Sequence, residues 1–71
     1  MIEVEAPIAG SVFRIEKRVG DAVARDEVLL ILESMKMEVP VESPCAGRVA
    51  EIRAREGDSI EEGRVLVVLD A

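Results

Sequence analysis

The chain has 71 residues, 49% of them hydrophobic, a formal net charge of −6, a single Cys, a single Phe and no His, Trp or Tyr. A chain this short buries only about 60% of its unfolded surface, which predicts one domain over residues 1–71 with little stability to spare. A net acidic surface argues against nucleic acid, whose binding needs Lys and Arg to neutralise phosphates. One Cys forbids an internal disulfide, and the absence of His leaves no conventional zinc site and nothing to activate Cys45 as a nucleophile. No apolar run approaches the ~20 residues of a membrane-spanning helix, and no basic, hydrophobic leader precedes the first strand-like segment. The expectation is a soluble, cytoplasmic protein with no catalytic residue of its own and no metal.

In chain order, Ile2 and Val4 alternate with Glu3 and Glu5 in the period of a strand. Pro7 and Gly10 predict a turn, and Val12 and Ile15 a second strand whose odd spacing asks for a bulge. Gly20-Asp21 predicts another turn before a short strand around Val23. The run Val28-Leu29-Leu30-Ile31-Leu32 is short for a helix and reads as a strand. After Glu33-Ser34-Met35-Lys36-Met37-Glu38, Val39 and Val41 resume the apolar pattern, which predicts a tight hairpin with Met35-Lys36 at its tip. The order then recurs through Val41, Val49 and Ile52, Ile60, and Val65 to Leu69.

That recurrence is an internal repeat. Shifting the chain by 37 positions, Val4 onto Val41, aligns the halves without a gap. Val4-Glu5-Ala6-Pro7-Ile8-Ala9-Gly10 falls on Val41-Glu42-Ser43-Pro44-Cys45-Ala46-Gly47, and Gly20-Asp21 on Gly57-Asp58. Val28-Leu29-Leu30-Ile31-Leu32 falls on Val65-Leu66-Val67-Val68-Leu69. Neither copy is large enough to close a core, so the two must bury their apolar faces together. Eight short strands in two related halves predict an all-β fold, a flattened barrel or sandwich with a pseudo-twofold axis. Met35 to Pro40 has no mate in the repeat, and the axis places this connector opposite the termini.

The connector also breaks a local rule. Two-residue hairpin turns favour Asn-Gly or Asp-Gly, because both central residues take φ > 0. Met-Lys has no such preference, so either the turn is of another kind or a strained backbone is tolerated, as happens at functional sites. Lys17 and Lys36 are the two lysines, and an enzyme that acylates an amine cannot use Arg in their place. Lys17, between Glu16 and Arg18, reads as a solubilising surface residue. Met35 and Met37 flank Lys36 where polar residues belong, and in so short a tip both cannot reach a core. Cys45 falls on Ile8 and reads as a small packed residue; Gly10, Gly20, Gly47 and Gly57 read as turn residues.

Glu33-Ser34-Met35-Lys36-Met37 resembles the attachment signature of biotinyl domains, the biotin carboxyl carrier family. The similarity covers essentially the whole chain, with Pro-x-x-Gly and Gly-Asp turns in each half; Ser34 replaces the family's usual Ala. Arg14 to Val28 leaves no room for the protruding thumb of some bacterial carriers. The resemblance implies an all-β, flattened barrel-sandwich of two four-stranded antiparallel sheets, with covalent biotin on Lys36, added by a biotin protein ligase, and Met35 and Met37 as recognition residues. In that reading the Lys36 amine attacks biotinoyl-adenylate, an amide forms and AMP leaves. The chain holds no His, so the ligase must supply the base. It further implies a carrier that moves carboxyl groups between a biotin carboxylase and a carboxyltransferase, with no nucleic-acid or membrane partner. The rival within the same fold is a lipoyl carrier, whose hairpin typically has Asp before the Lys and a small residue after it. An unmodified interaction module would leave the Met-Lys-Met tip unexplained.

Overall fold

The computed structural model describes residues 1–71 and consists of eight strands without a helix: β1 (Ile2–Glu5), β2 (Gly10–Ile15), β3 (Ala22–Val23), β4 (Val28–Ser34), β5 (Met37–Glu42), β6 (Gly47–Ile52), β7 (Ser59–Ile60) and β8 (Val65–Asp70). They form two four-stranded antiparallel sheets, in the orders β1-β8-β6-β3 and β5-β4-β2-β7. The shift of 37 carries β1 onto β5, β2 onto β6, β3 onto β7 and β4 onto β8. Applied to the first sheet, it returns the second sheet strand for strand. Each half of the chain therefore contributes two strands to each sheet. The halves are interleaved, and neither contains a complete sheet.

The hydrogen bonds outside the strand ladders obey the same symmetry. All fourteen main-chain bonds of the turns and loops pair off at the 37-residue shift. The Gly20 N–H donates to the Val49 carbonyl at 2.8 Å, and the Gly57 N–H to the Val12 carbonyl at 2.7 Å. In return Val12 N–H donates to Asp58 and Val49 N–H to Asp21, each at 2.9 Å. The Gly-Asp turn of one half thus grips a central strand of the other. Within each turn the Asp carboxylate accepts a main-chain N–H three residues back, from Arg18 to Asp21 and from Arg55 to Asp58.

Between the sheets lies a core of 14 buried side chains, among them Leu29, Leu30, Leu32, Val41, Val49, Leu66 and Leu69. The bulge expected in β2 falls between Val12 and Arg14, and its mate in β6 between Val49 and Glu51. The extra residue lets Val12 face the core while Phe13 and Arg14 both face solvent.

Two readings from the sequence are corrected. Gly10 and Gly47 are not turn residues; they open β2 and β6. A Cβ on Gly10 would stand 2.5 Å from the Glu33 carbonyl oxygen, and one on Gly47 2.8 Å from that of Asp70. Both glycines serve close backbone approach. Lys17 is not a free surface residue either: it is half-buried and donates to the Glu27 carboxylate, which also accepts the Ala24 N–H at 2.8 Å.

The glycine contacts also orient the body, which measures 32 × 17 × 17 Å. Gly10 packs at the neck of the β4–β5 hairpin, and β1 runs toward that end from Met1. Gly47 packs against Asp70 beside the foot of β5. The termini and the hairpin tip occupy opposite ends, as the repeat predicts.

Candidate functional site

The pairing of β4 with β5 runs from Val28↔Glu42 to Ser34↔Met37, leaving Met35 and Lys36 as a two-residue loop. Core burial of Leu30, Leu32 and Val41 fixes that register, because a slip of one residue would turn all three outward. A loop of two residues between twisted strands favours a type I′ or II′ turn, and type I′ takes positive φ at both positions. Met35 takes φ 52° and Lys36 φ 66°. The strands impose on two ordinary residues a conformation that costs L-amino acids roughly 1–2 kcal/mol each.

Symmetry sets this turn apart. The other positive-φ residues are Gly20 and Gly57, and Asp26 and Gly63, which are two pairs of mates. Met35 and Lys36 have no mate. The sequence left open whether the turn was of another kind or strained; it is strained.

Met35 is 93% exposed and Met37 64%. Neither reaches the core. Lys36 is exposed, with no hydrogen bond and no ion pair, whereas Lys17 is engaged by Glu27. Glu33 and Glu38 face each other across the neck of the hairpin, a like-charge pair that local stability disfavours. The arrangement offers a primary amine on a stiff stalk, available to another enzyme's active site. The surface has no cavity.

The perturbed ionisations lie away from the tip. Hydrogen bonding to Glu27 raises Lys17 above the ordinary lysine value, and the same bond, with the Ala24 N–H, holds Glu27 below the usual carboxylate range. The Arg53 guanidinium likewise lowers Glu51, whose carboxylate raises Arg53 in turn. Cys45 is half-buried against the core, in keeping with a packed small residue. Sequence reasoning missed Gly10, which lets β2 abut Glu33 at the base of the hairpin. Its signal was positional, since Gly10 and Gly47 each stand two residues before a core Val.

The signature of the family described as biotin-requiring enzyme matches residues 2–69, nearly the whole of this two-sheet body. The chain belongs to that family. The biotinylated protein TB7.3 homolog of Mycobacterium leprae is 45% identical over 38 residues, which make up 54% of this chain and 54% of that one. Among solved structures, the urea carboxylase of Kluyveromyces lactis superposes with a TM-score of 0.92 at 28% identity, covering 97% of this chain and 6% of the carboxylase. The lipoyl domain of the 2-oxoglutarate dehydrogenase complex of Azotobacter vinelandii gives 0.83 at 32% identity, covering 100% of this chain and 98% of that one. The match thus spans about half of the M. leprae relative and a small part of the carboxylase. The two solved structures share the barrel-sandwich fold with this chain.

Proposed function

We propose that Lys36 is the attachment point for biotin and that the chain is the carboxyl carrier of a biotin-dependent carboxylase. The observation that carries the reading is the Met35-Lys36 turn: strained, exposed, unmatched by the repeat, and bearing a lysine with no partner inside the protein. An amine so placed fits a covalent tether, and a surface without a cavity fits a cofactor held by its linkage alone. When bound, biotin accepts a carboxyl group at a biotin carboxylase and yields it at a carboxyltransferase. The chain's own part is to hold the amine clear of the body and to raise the tethered group's effective concentration at each partner site. In the attachment step Lys36 Nζ attacks the acyl carbon of ligase-activated biotin, the amide forms, AMP leaves, and a base of the ligase takes the amine proton.

Met35 and Met37 serve as recognition residues, adaptable side chains on a surface that several partners must accept. They also favour biotin over lipoate, since a lipoyl hairpin typically carries Asp and a small residue at these places. Intact mass after incubation with biotin protein ligase, ATP and biotin tests the assignment. One biotin per chain is expected, lost in Lys36→Arg with no change in melting temperature. A lipoyl-sized increment from a lipoate ligase alone, or modification at Lys17, would overturn it.

A further inference from the structure

The pseudo-twofold makes each outer sheet face the control for the other, and the two differ. On the sheet β1-β8-β6-β3, Glu3 and Glu51 flank Val68 in register. Arg53 ion-pairs with both, at 3.8 Å to Glu3 and 2.8 Å to Glu51. Val68 is only 5% exposed although it lies outside the core cluster, and the ion-paired clasp joins the strands on either side of it. At the matching positions of the other sheet stand Pro40, Ile31 and Arg14, with Glu16 in place of Arg53. Here no clasp forms. Arg14 meets Glu16 alone, at 3.9 Å, with its side chain 61% exposed. The bulge residue, Ala50 on the closed face, is Phe13 on the open one; it is 43% exposed, with the Arg14 guanidinium 5.8 Å from its ring centre.

The open face is thus a stripe of Pro40, Ile31 and Phe13 with one cation, where its symmetry mate is sealed. It also runs into the modified hairpin. β4 and β5 carry Ile31 and Pro40, five and four residues from Lys36, so a span of about 15 Å separates the stripe from the tip. An enzyme that acts on the bare Lys36 amine must close to within a lysine side chain of the tip, and a standard interface of about 800 Å² per partner extends roughly 16 Å from its centre, far enough to take in this stripe. Building on the proposed function, we propose that the outer face of β2, β4 and β5 is the docking surface for the ligase that modifies Lys36. The ligase covers Phe13 and Ile31 with apolar surface and sets a carboxylate against Arg14. Buried aromatics and arginines are the anchors on which such interfaces depend.

The test is steady-state kinetics of biotin protein ligase on the 71-residue chain, with Phe13→Ser and Arg14→Glu on the open face and Glu51→Gln on the sealed one. Each open-face variant is expected to lower kcat/KM about tenfold, mainly through KM, while excess ligase still labels Lys36 to completion. Glu51→Gln is expected to match the parent. Both open-face side chains are exposed, and circular dichroism of each variant is expected to match the parent. Parent-like kinetics in Phe13→Ser and Arg14→Glu would overturn the docking surface and leave Lys36 attachment standing; an unlabelled parent would overturn both. Sedimentation supplies the last outcome: a dimer abolished by Phe13→Ser would assign the stripe to a second copy instead.

Discussion

Replacing Met35-Lys36 by Asn-Gly should stabilise the protein while removing the proposed attachment site. Both residues are held at positive φ, and neither gains anything in return. Met35 buries almost no surface, and Lys36 makes no hydrogen bond or ion pair. Removing the left-handed penalty returns roughly 1–2 kcal/mol at each position. Against this, Gly at the second position gives the unfolded chain extra freedom, at a cost of about 0.4–1 kcal/mol. Asn tolerates the conformation only in part. The net is about 1 kcal/mol in favour of the variant. For a domain of this size that raises the melting temperature by about 4–8 °C. Differential scanning calorimetry of the unmodified proteins reads the difference directly. A variant melting at or below the parent would refute the reasoning, because it would mean that the turn is not strained or that Met35 and Lys36 contribute to folding.

Gly10→Ala should destabilise by about 1–3 kcal/mol, as its new methyl meets the Glu33 carbonyl oxygen inside a paired strand. Gly47→Ala should cost less, since Asp70 lies next to the chain end; equal losses in urea melts would contradict this. Glu27 is lowered, so its contribution is complete above the ordinary carboxylate range and fades as pH falls through its folded value. Lys17 is raised, so its share is complete below the ordinary lysine value and fades as pH rises through the folded one. Glu27→Gln should therefore flatten both limbs of melting temperature against pH, and an unchanged acid limb would remove the pair from the account. Ser43 is buried and donates to the Cys45 carbonyl at 2.6 Å, while its mate is Ala6. Ser43→Ala should cost about 1 kcal/mol in the same melts, for the lost bond and not for misfit.

Much of this was legible in the sequence because the repeat states each fact twice. The eight strands, the bulge in β2 and the solitary hairpin followed from apolar period, turn residues and the 37-residue shift. The candidate site followed from the same matching: Met35 to Pro40 is what remains after the halves are aligned. The tertiary contacts were not. Gly10 and Gly47 looked like partners of Pro7 and Pro44 in a turn, and their true role depends on Glu33 and Asp70, distant in sequence. Lys17 looked free because Glu27 lies ten positions on and is brought to it by the loop before β4. The unequal outer faces were equally hidden, since Arg53 finds Glu3 only once β1 and β6 have both paired with β8.

The placement of both chain ends at the pole away from the hairpin has a mechanical consequence. Any polypeptide joined to either end departs on the side remote from Lys36. In the proposed carrier role, the rigid body, up to 32 Å long, acts as a boom that extends the radius of travel of a group on Lys36 without lengthening a floppy connector. Reach gained this way carries no added chain entropy, so visits to two distant stations need not become rarer as the distance between them grows.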